Sequence, residues 1–316
     1  MAGQVFGTNS LGGFYQNNEL SKQLRLVAQP SKRFRQFVQV KGAKGARKGR
    51  HLLFDKNRDL STHGATLNET STIPETNFTV GQGTLTLNEY GQAVPWTGFL
   101  ATLSEFDVED AVMQNLKNSM VRYLDSQAGI IFTSAELVAQ CASTASVVFT
   151  TNGTATTTAN SDLTGFNWRK IADDMQARNI PFYDGESYIC IGTIKAISGL
   201  FNDTATSGFV DVKKYTGEFA GSLVRGEAGS YYQGRFVKET NLLDNSIGSS
   251  AAFGQAIAFG ADAVMEGIAE PEQLRQKVPT DYGRSEGLAW YAMLGWAKIW
   301  DETNDADERI VNINAL

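Results

Sequence analysis

The chain has 316 residues, 42% of them hydrophobic and 20% charged, with 28 Lys and Arg against 34 Asp and Glu and a formal net charge of −6. This composition is typical of a globular protein with ample core and excludes a disordered chain. No run of eighteen apolar residues is present, so the sequence predicts no membrane span, and its start lacks the form of a signal peptide.

Cysteine and histidine are both scarce. The two cysteines, Cys141 and Cys190, cannot build a disulfide framework and lack metal-ligand spacing, so each is expected to be a small buried hydrophobe. With His51 and His63 as the only histidines, no clustered Cys/His site is available. We therefore expect no metal and no cofactor.

Positive charge is concentrated near the start of the chain. The segment from Lys22 to Arg58 contains twelve Lys or Arg residues and one acid, Asp55, so its net charge is +11. The other 16 basic and 33 acidic residues give −17. Such a dipolar chain can pair its basic segment with the acidic body of another copy, or lay it on a polyanion. The candidate contact residues are Lys32, Arg33, Arg35, Lys41, Lys44, Arg47, Lys48 and Arg50, followed by Lys56 and Arg58.

The centre of this segment, "VKGAKGARKGRHLLF", does not fit a nucleotide site. A phosphate-binding P-loop requires Gly-Lys-Ser/Thr at the start of a helix, whereas Gly49 is followed by Arg50, His51 and an apolar, strand-like run. No helix-turn-helix, zinc-finger or aromatic-interleaved pattern accompanies the charge, which disfavours a DNA-reading module. An arm that faces solvent or protein partners is the favoured interpretation.

The sequence of the first 88 residues predicts an arm followed by a hairpin. Residues 1–50 contain little that could build a core and predict an extended arm with one short helix around Glu19–Val27. "HLLFD" (51–55) and "FTVGQGTLTLN" (78–88) predict two strands. The polar span between them has too few apolar residues to pack on its own body, so we expect a long protruding hairpin.

The segment 104–131 is the clearest predicted helix. Ser104 and Asp107 have capping-box spacing, and acids crowd the first turn. The apolar stripe recurs every four residues, at Val108, Val112, Leu116, Met120 and Leu124. From Val108 to Gly129 it would extend about 33 Å, as a spine laid across a sheet.

The rest of the chain mixes helices and strands. Residues 141–165 predict exposed strand and loop, 167–180 an amphipathic helix, 187–193 a strand, and 215–243 strands and turns. "FGQAIAFGADAVMEGIAEP" (253–271) predicts a buried strand and a short helix. "GLAWYAMLGWAKIW" (287–300) is apolar on both alternations and predicts a central strand covered on both faces. The acidic tail, 301–308, is expected to be solvated.

One motif raises a catalytic alternative. "GRSEG" (283–287) matches the Gly-x-Ser-x-Gly nucleophile pattern around Ser285. That elbow needs a helix after the serine and a histidine later in the chain, but a strand-like run follows and both histidines precede it. A hydrolase using Ser285 is therefore the least favoured hypothesis, and no enzyme activity is expected.

Three segments resemble the major capsid proteins of tailed bacteriophages, the HK-ninety-seven-type fold, and in particular the group found in N-four-like podophages. They are "TLTLNEYGQAVPWTGFLATLSEFDVEDAVMQNL", "FGADAVMEGIAEP" and "GRSEGLAWYAMLGWAKIW". The last of them departs from the family's "GWK"-like ending. The resemblance covers about two-thirds of the chain and includes no catalytic signature.

The resemblance implies an α+β fold and a role for each region. It implies an N-terminal arm at 1–50, an extended hairpin called the E-loop at 51–88, a peripheral domain with the spine helix at 89–131, an axial domain at 132–270, and a return to the peripheral domain at 271–316.

The resemblance also implies self-assembly into pentamers and hexamers of an icosahedral head that encloses double-stranded DNA. Partners would be the chain itself, then portal, scaffold or decoration proteins, and packaged DNA contacted without sequence reading, with no membrane. The location would be the virion, assembled in the host cytoplasm. The basic arm and the E-loop residues Lys56 and Arg58 would clamp sibling subunits. The alternative hypothesis is an encapsulin-like shell that encloses enzyme cargo.

Overall fold

The computed structural model describes residues 32–42, 49–58, 60, 64, 66–70, 72–73, 75–104, 107–154, 161–202, 227–247, 252–279, 281–282 and 284–314. The predicted arm helix at 19–27, the basic residues Lys44, Arg47 and Lys48, and His63 lie outside these residues. Within the described ranges, no helix is both long enough and apolar enough to cross a membrane.

Strands outnumber helices in the described parts of the chain. The strands are β1 (Gln39–Gly42), β2 (His51–Asn57), β3 (Val80–Thr86), β4 (Asn88–Thr97), β5 (Leu137–Ser143), β6 (Ser146–Thr150), β7 (Tyr188–Gly192), β8 (Glu227–Tyr231), β9 (Gly234–Lys238), β10 (Ala256–Phe259), β11 (Val264–Gln276), β12 (Ser285–Lys298) and β13 (Ile310–Ile313). The helices are a 3-10 turn (Arg35–Phe37), α1 (Gly98–Leu103), α2 (Val108–Thr133), α3 (Gly165–Ala177), α4 (Ile194–Phe201) and a short helix, Glu302–Asp305. Mixed sheets with few helices make an α+β fold, as predicted.

The chain divides into two compact units. Among the described residues, the first unit comprises those within Gln92–Asn118 and Leu274–Trp290. The second comprises those within Pro30–Gly91, Ser119–Gln273 and Tyr291–Leu316. A four-stranded sheet has the order β1-β11-β12-β4, and β2 pairs with β3 as a separate antiparallel hairpin. The predicted hairpin and the predicted central closing strand are both confirmed, because β12 lies between two neighbours.

Helix α2 confirms the predicted spine but begins at a different cap. The Asp107 side chain accepts hydrogen bonds from the backbone N–H groups of Glu109 (3.0 Å) and Asp110 (3.2 Å), so it satisfies the free donors of the first turn. Ser104 instead ends α1, where its N–H bonds to Leu100 O. The predicted capping box is therefore wrong, because a second helix occupies the preceding residues.

A seven-stranded sheet in the order β6-β5-β13-β10-β7-β9-β8 organises the second unit. Its core is buried and apolar, and Trp168 of α3 and Ile197 of α4 belong to it. Cys141 and Cys190 are buried in this core as free thiols, as the sequence predicts. The strands of this sheet come from residues 137 to 313, so it gathers most of the second half of the chain.

Two predictions near the end of the chain are wrong. The short helix expected within 253–271 is absent from the described structure there, which forms β10 and the long strand β11. The tail 301–308 is not simply solvated, because Glu308 is buried and accepts hydrogen bonds from Glu136 N–H and Leu137 N–H. The following strand, β13, was not predicted and lies inside the seven-stranded sheet. The predicted region 271–316 thus supplies strands to both large sheets.

Candidate functional site: the basic segment and the hairpin

The beginning of the described chain is packed against its own subunit. Phe34, Phe37 and Val38 are buried. The Phe34 ring approaches Gly129 of α2 so closely that a Cβ on that glycine would lie 2.8 Å from its Cδ2 atom, and its centroid lies 5.6 Å from that of Phe132. The expectation that residues up to 50 contribute little to the core is therefore wrong for residues 34–38. The aromatic residues between the charges were the available signal.

Asp125, on the buried side of α2, holds this segment through its backbone. Its carboxylate accepts hydrogen bonds from the N–H groups of Arg33 (3.2 Å) and Arg35 (3.0 Å). The side chain of the N-cap residue makes no capping hydrogen bond to the 3-10 turn, so Asp125 supplies the acceptor from a distant part of the chain. Burial raises the pKa of Asp125, and the backbone donors partly oppose this shift. The sequence analysis missed this residue, although an aspartate next to the apolar Leu124 was a signal.

Arg35 uses its charge within its own subunit. Its guanidinium lies 2.9 Å (Nε) and 2.7 Å (Nη2) from Oε1 of Glu266 and also pairs with Glu272. Burial tends to lower the pKa of Arg35, but the hydrogen bonds and charges of the two carboxylates outweigh it and raise that pKa. Burial raises the pKa of Glu266, and Arg35 opposes this shift. Arg35 is thus engaged by carboxylates of its own chain.

The other candidate basic residues occupy different environments. Lys32 and Arg33 are half-buried, and burial lowers the pKa of Lys32. Lys41 is exposed on β1, which pairs in parallel with β11 at the edge of the four-stranded sheet. Arg50 donates to Leu87 O (3.3 Å) and Asn88 Oδ1 (2.7 Å) while remaining exposed. That these residues contact other subunits stays a prediction.

One face of the hairpin packs closely against two glycines, Gly267 and Gly295. Phe54, Leu85, Leu87 and Ile299 form a small buried cluster in which Leu52 and Met265 also pack. A Cβ on Gly267 would lie 2.7 Å from Leu85 Cδ2, and a Cβ on Gly295 would collide with Thr86 O. A side chain at Gly295 would displace the β3 backbone, whereas at Gly267 it would require the ends of Leu85 and Leu52 to repack. The hairpin root is therefore fixed to its own body.

Two cations that stack on the Trp300 ring add to this attachment. Lys56, a candidate E-loop residue, is buried with its Nζ 5.7 Å from the Trp300 ring centroid. Arg309 lies over the same ring at 4.6 Å. Cation–π contacts of this kind are more favourable when desolvated. Arg58, the other candidate, is exposed, and its N–H donates to Thr79 O (3.2 Å).

Away from this buried face, the hairpin exposes apolar side chains. They are Leu53, Leu60, Leu67, Ile73, Phe78 and Val80. Between Asp59 and Leu116 the sequence has no Lys or Arg, so this stretch carries only negative formal charges. Exposed apolar side chains with acidic residues between them, as from Leu60 to Phe78, suit docking on another protein surface.

Ser285 has no nucleophile-elbow geometry. It is the first residue of β12, so a strand rather than a helix follows it, and its Oγ accepts a hydrogen bond from the exposed Lys277 Nζ at 2.6 Å. Of the two histidines, His51 lies on β2 and its ring contacts Thr86 Oγ1. Within the described ranges, no three His, Cys, Asp or Glu side chains are grouped closely enough to hold a metal ion.

Comparisons with known proteins place the fold. No family model matches the sequence, and no curated protein matches it. Solved structures match along nearly the whole chain. The capsid structure of cyanophage P-SCSP1u has a TM-score of 0.68 at 12% identity and covers 98% of this chain and 95% of its own. The cyanophage Pam1 capsid has a TM-score of 0.66 at 14% identity, covering 97% and 98%. The capsid of Ralstonia phage GP4 has a TM-score of 0.65 at 15% identity, covering 99% and 97%.

Proposed function

We propose, from the premise that this chain has the fold of tailed-phage major capsid proteins, that it assembles with copies of itself into the shell of a phage head. The observation that carries the proposal is the near-complete coverage of both chains in the matches to phage capsid structures. In this role it forms pentamers and hexamers of an icosahedral shell that encloses double-stranded DNA. Its location is the virion, after assembly in the host cytoplasm.

The exposed face of the hairpin supports a contact with an adjacent subunit. The root is fixed to its own body, while Leu67, Ile73 and Phe78 remain exposed farther along. Apolar surface that is exposed in one copy gains free energy when a neighbour covers it, by about 25 cal/mol for each Å² removed from water. We infer that this part of the E-loop lies on the next subunit.

The basic segment supplies the second proposed contact. Lys41 and Arg50 are exposed, and Lys44, Arg47 and Lys48 lie between them in the sequence. We propose that these five residues attract the acidic bodies of sibling subunits and touch packaged DNA through phosphate charge alone. Lys56 and Arg35 are excluded from this set because Lys56 is buried against Trp300 and the Arg35 guanidinium is paired with two carboxylates.

The proposal assigns a structural and not an enzymatic role. The strand that follows Ser285 cannot provide the strand–turn–helix geometry that an elbow serine requires. Portal, scaffold and decoration proteins are proposed as further partners of the assembled shell.

Negative-stain microscopy of the purified chain tests the function, together with the absorbance ratio of intact particles recovered from infected cells. Closed shells containing DNA are the expected result. Shells filled with protein would instead indicate a cargo container of the encapsulin type. A chain that stays monomeric at micromolar concentration, with or without the products of neighbouring phage genes, would refute the proposal.

A further inference from the structure

One pair of residues in the sequence is chemically labile. Asn152-Gly153 is the single Asn-Gly pair among the 316 residues. In such a pair the backbone nitrogen of the glycine attacks the side-chain carbonyl carbon of the asparagine, and the glycine has no side chain to hinder the approach. A bond forms between Gly153 N and Asn152 Cγ, the Cγ–Nδ2 bond breaks, and ammonia leaves with the proton from the glycine nitrogen. Water then opens the cyclic imide to aspartate or isoaspartate.

The turn that contains this pair is built from these two residue types. It follows β6, and residues 151–154 are exposed. Gly153 has a φ of 73°, a left-handed conformation that glycine adopts without steric cost. Asn152 Oδ1 accepts a hydrogen bond from Thr154 N–H (3.1 Å), which makes an Asx turn. The geometry of the turn therefore favours the combination that also makes it labile.

The asparagine side chain is activated for this reaction, but the glycine nitrogen is engaged elsewhere. The hydrogen bond from Thr154 N–H polarises the Asn152 carboxamide and would stabilise the negative charge that develops on Oδ1 during attack. Gly153 N–H, however, donates a hydrogen bond to Glu136 O at 2.7 Å. The attacking nitrogen has to lose this proton, and the bond to Glu136 O both opposes that loss and fixes the orientation of the peptide group. Release of this one hydrogen bond therefore controls the reaction.

Glu136 is held in place by the tail of the chain. Its N–H donates to Oε2 of the buried Glu308, whose Oε1 lies 3.0 Å from Lys298 Nζ. Its own side-chain Oε2 accepts hydrogen bonds from Thr303 N–H (3.1 Å) and Thr303 Oγ1 (2.7 Å). The acceptor for Gly153 N–H is thus anchored at both its backbone and its side chain by residues far along the sequence.

We propose that Asn152-Gly153 is a latent deamidation site, held unreactive in the folded subunit by the hydrogen bond from Gly153 N–H to Glu136 O and by the anchoring of Glu136 to the tail. When that bond opens, Asn152 converts to aspartate or isoaspartate. Both products add a negative charge, and isoaspartate also lengthens the backbone by one methylene group, so the register between Gly153 and Glu136 is lost. A chain that stays unfolded is thereby modified at this turn. The inference is independent of the proposed function, because it concerns a single subunit.

The first test compares the rate of conversion in folded and unfolded forms of the same sequence. The full-length protein is incubated at mildly alkaline pH in native buffer and in urea above its unfolding midpoint, beside a peptide of residues 148–156, VFTTNGTAT. Mass spectrometry quantifies the exchange of the Asn152 amide for an acid. We expect conversion to be at least about tenfold slower in the native protein than in urea or in the peptide, since it proceeds only from the locally open fraction. Equal rates in the native protein and in the peptide would overturn the inference.

The second test relates the rate to the hydrogen bond itself, because amide hydrogen exchange at Gly153 measures how often its N–H is released. Glu136→Ala removes both bonds to Thr303, and Glu186→Ala, at an exposed acid in the loop before β7, is the matched control. In native buffer we expect Glu136→Ala to accelerate exchange at Gly153 and conversion of Asn152 by the same factor, roughly threefold or more, as the loss of one net hydrogen bond gives. Glu186→Ala should change neither.

A milder variant keeps this test valid if Glu136→Ala lowers the urea midpoint of the subunit. Thr303→Val removes only the hydroxyl contact with Glu136 and leaves the backbone N–H in place. We expect it to accelerate exchange and conversion together, by a smaller factor. Faster exchange without faster conversion would show that the Gly153 hydrogen bond does not control the reaction, and unchanged exchange in both variants would show that the tail does not hold Glu136. Either result would overturn the inference.

Discussion

Buried charges fix the place where the basic segment joins the body. Asp125 receives two backbone N–H groups from residues 33 and 35, and Arg35 is held by Glu266 and Glu272. These contacts join residues far apart in the sequence, so they form only in the folded subunit. The path of the chain that leads into the body is therefore set by a few individual residues.

Removal of the Arg35 guanidinium tests this role. Arg35→Ala leaves Glu266 buried without a cation, and we expect a loss of about 3 kcal/mol in the free energy of unfolding, at the lower end for a broken buried pair because the Arg35 side chain is 28% exposed. Arg284→Ala is the control, since it breaks an exposed pair with Asp281 whose side chains are 81% and 62% exposed. That change should cost about 0–1 kcal/mol. Urea unfolding of both unassembled variants measures the difference, and equal losses would contradict the clamp.

Asp125 gives a prediction with a defined pH dependence. Its pKa is raised in the folded state by burial, so the protonated form is favoured by folding. The stability that this shift contributes is fully present below the unfolded pKa and is lost as the pH rises through the folded pKa. Relative to Asp125→Asn, which does not titrate, the wild-type subunit should become more stable as the pH falls from 7 towards about 4. Urea midpoints at several pH values check this, and a difference that is constant with pH would contradict it.

At the scale of elements, the hairpin packs closely on the sheet beneath it. Its register runs from His51 opposite Thr86 to Asn57 opposite Val80, and its inner face lies on Gly267 and Gly295. Gly295 allows the backbone of β3 to approach the sheet closely, while Gly267 leaves room for the Leu85 and Leu52 side chains. The angle at which the hairpin leaves the body thus depends mainly on Gly295.

Gly295→Ala should change that angle. The added methyl group would collide with the backbone oxygen of Thr86 and lie 2.9 Å from Leu85 Cδ2, so β3 has to move. We expect a loss of about 1–3 kcal/mol in subunit stability and failure to form regular shells. Gly42→Ala is the matched control, because a Cβ there meets no atom within 4 Å. Microscopy and urea unfolding are the measurements, and regular shells from Gly295→Ala would disprove the role of this glycine.

Two N-terminal deletions of different length test where the arm ends and the core begins. The sequence of residues 1–31 contains little that could build a core, so we expect their deletion to leave native-like circular dichroism with impaired shell closure. Deletion of residues 1–38 also removes Phe34 and Phe37, and loss of a buried Phe costs about 3–5 kcal/mol each. Because that total approaches the 5–15 kcal/mol typical of a whole domain, we expect the longer deletion to unfold. Equal stability of the two truncated chains would show that residues 32–38 do not belong to the core.

At the scale of the molecule, charge is segregated along the chain. The +11 segment contrasts with −17 on the rest of the chain, so the electrostatic part of assembly should weaken with salt. The Debye length falls from about 10 Å at 0.1 M to about 3 Å at 1 M, which screens exposed contacts such as those proposed for Lys41 and Arg50. Light scattering across a salt series measures assembly. An onset concentration that does not change with salt would rule out a main role for the basic segment.

The sequence by itself determined the elements whose information is local. The four-residue apolar period fixed helix α2, the apolar run 287–300 predicted β12, and two strand-like runs with a polar connection predicted the hairpin. The tailed-phage capsid fold, identified from three short segments, is confirmed by the structural matches. The narrower assignment to the N-four-like group stays a prediction.

Only the tertiary structure decided which polar and short segments are buried. Strand β13 has four residues, including Asn312, and is buried because Thr133 O accepts from Asn312 Nδ2 (2.7 Å) and β5 pairs alongside in parallel. Glu308 and Asp125 are buried for the same reason, since their partners come from remote parts of the chain. From the local sequence, a polar residue is predicted to be exposed. Its burial becomes possible only where the fold supplies a hydrogen-bonding partner. Long-range partners of this kind leave no periodic signal in the sequence.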